Sequence, residues 1–187
     1  MENVYHGSSV GNITKFEKRE STHGIPCVYA CLSEVLALIY ASKYHSDVFF
    51  QVGFDDKMIP FIVERKEGLL EKYYNKTGYI YTLDGTSFYQ YNYLWVGEAI
   101  SMSDDIKTLN VRKVDNILSE LYKCASEGKI TIYKYPSRPE WMPLDNSDLI
   151  DKYLDYYKKG STDALKILLK FYPEFESEVF KKLAKMW

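Results

Sequence analysis

The fold is decided by residues 3–44, which begin with NVYHGSS at positions 3–9 and continue, after a loop, with PCVYACLSEVLALIYASKY at positions 26–44. The pattern predicts a short strand over residues 3–6, a turn at residues 7–9 and a second strand over residues 27–30. Ser33 is typical of a helix N-cap, and apolar residues recur behind it at helical spacing, so we expect a helix to about Tyr44.

The remaining chain alternates strand and helix signals before it becomes helical. Strands are expected at 60–64, 78–83, 88–96 and 129–135, and helices at 67–75, 114–127, 148–158, 163–171 and from Pro173 to the end. The Asp84-Gly85 turn signal predicts that 78–83 and 88–96 form a hairpin. A proline-rich segment at 136–143 breaks regular structure. We therefore predict an α+β domain over residues 1–135 and a helical extension over residues 136–187 packed on it.

Composition excludes several classes of function. The formal charge is −2, and the 24 Lys and Arg residues are spread along 187 positions, so tight binding to duplex nucleic acid is not expected. No apolar run could span a membrane and no signal peptide is recognisable, which predicts a cytoplasmic protein. The aromatic fraction of 16%, with 18 tyrosines, leaves ring surface available for stacking.

Cysteine and histidine spacing argues against a metal site or a disulfide framework. The three cysteines are odd in number and lack CxxC spacing, so buried thiols are expected. Cys27 and Cys31 flank Tyr29, but no histidine and aspartate arrangement supports a cysteine nucleophile. His23 and His45, with Asp47 nearby, match no ligand motif, so we expect no metal.

Three short segments carry the chemistry: Val4 to Ser8, with His6 and Gly7 in the middle; Val28-Tyr29-Ala30; and Tyr40-Ala41. Together they resemble the His-Tyr-Glu branch of the ADP-ribosyltransferases, which includes the poly-ADP-ribose polymerases and the diphtheria-type toxins. In that branch a first strand ends in His-Gly, a second carries a tyrosine, and the next helix presents another tyrosine eleven positions on. The resemblance covers about residues 3–103 and implies a split, strongly twisted sheet with flanking helices.

The resemblance also implies a role for each of these residues. His6 would bond the nicotinamide ribose of NAD, the backbone of Gly7 would hold the carboxamide, and Tyr29 and Tyr40 would sandwich the nicotinamide ring. Ser8 and Ala30, next to Gly7 and Tyr29 in the sequence, would complete the NAD site. The chemistry is plausible without the family, because glycine admits a close backbone contact and stacked tyrosines attract a cationic ring. Tyr29 and Tyr40 could instead be ordinary core aromatics.

The third residue of the branch is a glutamate on a later strand, which stabilises the positive charge that develops as nicotinamide leaves. Here Gln90-Tyr91-Asn92 precedes the expected strand at 93–96, so an amide stands where the branch has a carboxylate. Asn92 could bond the ribose but would supply little negative field. Glu98 is the nearest acid and could replace it only if the strand lies elsewhere. Both residues therefore remain candidates.

Two further features of the sequence can be interpreted in terms of binding. Arg19, with His23, lies between the two strands of the candidate site and suits contact with the pyrophosphate or adenosine end of NAD. The pairs Tyr79 and Tyr81, and Tyr89 and Tyr91, could stack single-stranded bases, but cross-strand pairing in a sheet explains them more simply.

The leading function is therefore transfer of ADP-ribose from NAD to a protein or nucleic-acid acceptor. The alternative is a non-catalytic module that binds NAD, ADP-ribose or a related nucleotide, which the amide at position 92 favours. A second alternative is a protein-interaction domain that acts through its C-terminal helices.

Overall fold

The computed structural model describes residues 1–20, 25–42 and 46–185. Eight strands lie along this part of the chain: β1 (Asn3–Ser8), β2 (Val28–Cys31), β3 (Phe50–Phe54), β4 (Pro60–Glu64), β5 (Gly78–Asp84), β6 (Glu98–Ser101), β7 (Thr108–Val114) and β8 (Thr131–Tyr133). Six α-helices accompany them: α1 (Glu34–Tyr40), α2 (Leu69–Tyr74), α3 (Ile117–Ser126), α4 (Asp148–Lys158), α5 (Ala164–Phe171) and α6 (Glu176–Ala184). The predicted α+β class is confirmed.

The strands form two sheets. The first is antiparallel, with the order β6-β2-β1-β5-β7, and the second has the order β3-β4-β8, in which β4 and β8 run parallel. α1 packs against the first sheet at β1, and its Ser33 cap accepts a hydrogen bond from the backbone N–H of Leu36, as expected for a serine N-cap. The main core lies between α1, α3 and the two sheets, and includes Leu36, Ile62 and Leu121.

The helical extension has a core of its own. Leu149, Leu154 and Leu168 pack together there, and Val48 joins them from outside the extension. The fully buried guanidinium of Arg65, on the segment after β4, bonds both carboxylate oxygens of Asp148 at 3.0 and 2.8 Å. The predicted helices at 148–158 and 163–171 are confirmed by α4 and α5. The last predicted helix is confirmed over α6, whereas Pro173–Phe175 form a 3-10 turn and residues 186–187 lie outside the described residues. The division of the chain at residue 136 stays a prediction.

The expected strand at residues 88–96 is wrong. A 3-10 turn occupies Gly85–Ser87, and residues 92–97 are mostly turns. Tyr89 forms an isolated bridge to Ile100, and Tyr91 lies stacked on Tyr93 with ring centroids 5.3 Å apart. Cross-strand pairing therefore does not explain the tyrosines of this segment. The strand comes later, at β6, because the hydrogen bonds of β2 determine where the chain rejoins the sheet.

Three strands were not predicted, and α1, α2 and α3 are each shorter than expected, α3 because Val114 ends β7. β3 and β6 are short, and β7 has little apolar periodicity because most of it is exposed. α1 ends at Tyr40, and Tyr44, to which the prediction extended, lies outside the described residues. The strand β1 runs on through Gly7 and Ser8, so the predicted turn there is wrong. Among the described residues, no helix combines the length and the apolar character needed to cross a membrane.

Candidate functional site

A pocket of about 330 Å³ opens at the junction of β1 and β2, and we call it the strand pocket. It is lined by residues of β1, β2, the end of α1 and the start of β6: Tyr5, His6, Gly7, Tyr29, Ala30, Cys31, Tyr40 and Glu98. Four elements, with lining residues between positions 5 and 98, therefore meet at one cavity. The volume falls within the range of small-ligand pockets, roughly 300 to 1,000 Å³.

The pocket exists because β1 and β2 diverge. Tyr5 lies opposite Cys31, but β1 then continues to Ser8 paired with β5 alone, while β2 pairs with β6 over its whole length. At the other end of β2, Cys27 exchanges two backbone hydrogen bonds with Arg19, at 3.0 and 3.2 Å. Arg19 therefore lies beside Cys27, where β1 would otherwise continue along β2. The gap between β1 and β2 lies between this pair and the pair of Tyr5 with Cys31.

Backbone polar groups point into this gap. Because the N–H and C=O of Cys27 face the β1 side, strand alternation places those of Tyr29 on the same side. The pairing of Tyr5 with Cys31 similarly directs the main-chain groups of Gly7 towards β2. A planar amide that enters the gap would meet both donors and acceptors.

Gly7 is required by the packing of α1. A Cβ atom at this position would lie 1.8 Å from the carbonyl oxygen of Ala37 and 2.7 Å from the nitrogen of Ala41. Only glycine lets the helix backbone approach β1 so closely, and this approach brings Tyr40 to the pocket. The side-chain position is therefore filled by the helix, and a ligand can reach Gly7 only through its main chain.

His6 lies on the opposite face of β1 from Gly7, with its ring 5.0 Å from the ring of Phe16 in an edge-on contact. Its Nδ1 is 3.0 Å from the carbonyl oxygen of Tyr29. Since a carbonyl only accepts, Nδ1 carries the proton, and Nε2 of the neutral ring is an acceptor. Burial lowers the pKa of His6 and the charge of Arg19 lowers it further, against the opposing effect of the bond to Tyr29. His6 therefore offers a ligand an acceptor at Nε2, because the one N–H of the neutral ring donates to Tyr29.

The two tyrosines approach the pocket from different elements. Tyr29 packs against Cys27, Leu94 and Ile100, and Tyr40 is the last residue of α1. Burial raises the pKa of the Tyr40 phenol, and the neighbouring Cys31, Glu98 and Asp47 raise it further. Tyr40 thus stays protonated at any physiological pH and presents a neutral aromatic ring.

The structure separates the two candidates for the third residue. Glu98 is the first residue of β6, opposite Cys31, and lines the strand pocket. Asn92 lies exposed in a turn and is not part of the pocket lining. The expected strand at 93–96 is absent, because the chain joins β2 only at Glu98, and Asn92 therefore does not reach the pocket lining.

Cys31 faces the same pocket but is poorly suited to nucleophilic attack. Burial raises the pKa of its thiol far above the ordinary value, and the charge of Glu98 adds to the effect. A thiol that stays protonated is a weak nucleophile. All three cysteines are buried, as expected, and none forms a disulfide.

A second cavity of about 470 Å³, the loop cleft, lies beside the strand pocket and shares His6 and Tyr29 with it. Its wall is the loop after β1. The buried hydroxyl of Tyr81 holds this loop, donating to the carbonyl of Val10 at 2.7 Å and accepting from the N–H of Ile13 at 3.1 Å. Tyr81 therefore anchors the part of the loop between Val10 and Ile13 that forms this wall.

Three residues predicted to contact the cofactor are divided between the two cavities. Ala30 lines the strand pocket, whereas Ser8 and Arg19 line the loop cleft. The Ser8 hydroxyl accepts a hydrogen bond from the N–H of Val10 at 3.0 Å, so part of its bonding capacity is used locally. Arg19 is exposed, and its backbone is fixed by Cys27. His23, predicted beside Arg19, lies outside the described residues.

The sequence did not identify Tyr5 as a residue of the strand pocket, or Phe16 and Lys15 as residues of the loop cleft. Tyr5 could have been found from strand alternation, since it shares a face with Gly7. Phe16 is a single aromatic residue among charged neighbours, a pattern typical of a loop anchor, and it is buried beneath His6. Lys15 and Arg19 line the loop cleft together with Glu17, so two cations and one carboxylate line that cavity.

Comparisons with protein-family models, with curated proteins and with solved structures gave no significant match to this chain.

Proposed function

We propose that the protein binds NAD across the strand pocket and the loop cleft and transfers its ADP-ribose to a macromolecular acceptor. The observation that carries the proposal is the convergence of His6, Tyr29, Tyr40 and Glu98 on one cavity at a gap between two strands. These are the residue types that the resemblance requires, and the presence of Glu98 in the pocket lining supports the proposal because it provides a carboxylate there.

The strand pocket suits the nicotinamide half of NAD. The main-chain groups of Gly7 can hold the carboxamide, while the ring of Tyr40 offers a stacking surface to a cationic ring. Such a contact contributes roughly 0.5 to 2 kcal/mol. In this proposal Nε2 of His6 accepts from a ribose hydroxyl, because its Nδ1 is already committed to Tyr29.

The loop cleft suits the adenosine diphosphate half. It adjoins the strand pocket at His6 and Tyr29, and the cations Lys15 and Arg19 line it. Guanidinium groups favour bidentate contacts with phosphate oxygens. A ligand with a flat ring at one end and a pyrophosphate in the middle therefore matches the two cavities better than nicotinamide alone.

Glu98 supplies the charge that the transfer reaction needs. When the bond between nicotinamide and ribose breaks, positive charge develops on the ribose, and a fixed carboxylate in a partly buried pocket stabilises it. Such stabilisation is a transition-state effect, so its loss should lower turnover more than binding. A nucleophilic group of the acceptor then forms a bond to the ribose carbon that nicotinamide has left.

The test is incubation of the full chain with NAD labelled in its ADP-ribose part, together with a Glu98→Gln variant. The proposal expects nicotinamide release and labelled acceptor with the natural protein, and NAD binding without release by the variant. Saturable binding with no turnover in either protein would instead support a non-catalytic nucleotide-binding module. Absence of binding, measured by thermal shift with NAD in large excess, would overturn the proposal, since bound ligand stabilises a fold by roughly 2.7 kcal/mol at 100 times its Kd.

A further inference from the structure

The side chain of Tyr81 connects the first sheet to the wall of the loop cleft. Tyr81 lies in β5 directly opposite His6 of β1, so the two side chains share one face of the sheet. Tyr81 is fully buried, and its ring centroid is 6.5 Å from that of His6. Its hydroxyl extends beyond the sheet and bonds the main chain of the loop at Val10 and Ile13. One side chain therefore lies beside the imidazole of the strand pocket and also holds the wall of the loop cleft.

Phe16 gives the same loop a second attachment to the sheet. Its buried ring lies 5.4 Å from the ring of Tyr81 and 5.0 Å from that of His6, edge-on in both contacts. Edge-on contacts are favourable because the positive edge of one ring meets the negative face of the other. The neighbouring Lys15 lines the loop cleft. The loop is thus held near its start by the Tyr81 hydroxyl and further along by the Phe16 ring.

The hydroxyl of Tyr81 is not needed to fill the core. A phenylalanine ring would make the same contacts with Phe16 and His6, whereas both hydrogen bonds of the hydroxyl go to main-chain atoms of the loop. Val10 is 49% exposed and Ile13 is half-buried, so their main-chain groups can turn to water when the hydroxyl is removed. Loss of the hydroxyl should therefore displace the loop and leave the packing of the sheet in place.

The charged side chains of the loop cleft suit a diphosphate attached to a ribose. Lys15, Glu17 and Arg19 alternate along the loop and all line the cleft, where the cations outnumber the carboxylate. The backbone of Arg19 is fixed by two hydrogen bonds with Cys27. A guanidinium can bond two phosphate oxygens at once, and a carboxylate accepts hydrogen bonds from hydroxyl groups. A nucleoside diphosphate carries both kinds of group.

We infer that Tyr81 is a positioning residue that keeps the loop cleft formed as a subsite for a nucleoside diphosphate before any nicotinamide group binds. The inference rests on the function proposed above, which assigns the loop cleft to the adenosine diphosphate half of NAD. A wall that is already in place loses less conformational freedom when a ligand binds, so more of the contact energy appears as affinity. ADP should therefore bind to the loop cleft in the absence of nicotinamide.

The test compares the binding of ADP and of nicotinamide to the full chain by isothermal titration. The natural protein should bind each ligand alone. Tyr81→Phe should lower the affinity for ADP at least about fivefold, because the loop loses both hydrogen bonds, and should leave the affinity for nicotinamide unchanged. The KM for NAD should rise while nicotinamide release at saturating NAD keeps its rate, since Glu98 and the strand pocket are not altered.

Tyr172→Phe is the matched control. The hydroxyl of the buried Tyr172 also donates to a main-chain carbonyl, that of Val48 at 2.9 Å, but it does so in the core of the helical extension. Hydrogen exchange of the ligand-free protein adds a readout that does not depend on NAD. The amide of Ile13 should exchange faster in Tyr81→Phe than in the natural protein, and Tyr172→Phe should leave it unchanged.

The failure of this inference differs from the failure of the proposed function. If NAD binds but Tyr81→Phe changes neither the affinity for ADP nor the exchange of the Ile13 amide, the inference is overturned and the proposed function stands. Equal losses of affinity for ADP and nicotinamide would also overturn the inference, because Tyr81 would then act on the fold as a whole. A natural protein that binds NAD but not ADP would show that the cleft is no separate subsite. Absence of binding of NAD, ADP and nicotinamide would overturn both.

Discussion

Nδ1 of His6 lies 3.0 Å from the carbonyl oxygen of Tyr29, and this contact joins two strands at the point where they move apart. The two residues are 23 positions apart in the chain, yet the contact fixes the tautomer of the imidazole and orients its Nε2. It also provides a hydrogen-bond donor for the Tyr29 carbonyl, which faces the gap. The chemistry proposed for the strand pocket depends on this orientation.

Acid should destabilise the protein partly through His6. Its pKa in the folded state is lowered by burial, so the unfolded chain binds more protons below the ordinary value of about 6.5. The stability it contributes is complete above that value and is lost as the pH falls through the lowered folded-state pKa. We expect the loss of Tm between about pH 7 and pH 5 to be smaller in His6→Gln than in the natural protein. Equal losses in the two proteins would contradict this account.

Glu98 should matter for turnover and Asn92 should not. Glu98→Gln removes the carboxylate that lines the strand pocket, and we expect nicotinamide release to fall by roughly 100-fold or more with little change in NAD affinity. Asn92→Ala is the matched control, because Asn92 is exposed in a turn. Release kinetics and calorimetric binding separate the two effects. A large loss in the Asn92 variant with none in the Glu98 variant would reverse the assignment.

Arg19→Gln should weaken NAD binding by about 1 kcal/mol, roughly fivefold, because one cation of the loop cleft is lost. Binding of nicotinamide alone should be unchanged, since Arg19 does not line the strand pocket. Lys18→Gln is the control, because Lys18 pairs with Asp104 at 2.8 Å and lies outside the cleft lining. Isothermal titration with both ligands makes the comparison. If both ligands lose affinity equally, the two-cavity arrangement is wrong.

Gly7→Ala should destabilise the fold by roughly 1 to 3 kcal/mol. The added methyl group would collide with the backbone of α1 at Ala37 and Ala41, which cannot move without displacing Tyr40. Urea unfolding measures the effect, and Ser9→Ala, at an exposed neighbouring position, should change the free energy of unfolding little. An unchanged urea midpoint for Gly7→Ala would contradict the close packing of α1 on β1 at Gly7.

Asp148→Asn should cost roughly 3 to 5 kcal/mol, because it leaves the fully buried guanidinium of Arg65 without its opposite charge. The surface pair of Asp151 with Lys182 provides the control, since Asp151 is 75% exposed and its neutralisation should cost about 1 kcal/mol or less. Unfolding followed by circular dichroism reports both variants. If Asp148→Asn lowered the free energy of unfolding as little as neutralisation of Asp151 does, the stability of the helical extension would not depend on the pair of Arg65 with Asp148.

Local patterns predicted the elements that carry their own signals. The N-cap at Ser33, the buried strand at 60–64 and the helix at 148–158 were each recognisable from a few neighbouring residues. The edge strand β7 gave no such signal, since exposed positions are free of the apolar alternation that marks a half-buried strand. Strand β6 was not predicted, and a strand was wrongly expected at 88–96, because the position of β6 depends on pairing with β2, some seventy residues earlier.

The sequence by itself determined which residue types could form the site: an imidazole before a glycine, and two tyrosines at an interval that a strand and the next helix can bring together. Only the tertiary structure decided that β1 and β2 separate beyond Tyr5 and Cys31, and that Glu98 rather than Asn92 reaches the gap. The physical reason is that local propensity acts over a few residues, whereas strand register depends on hydrogen bonds between distant segments.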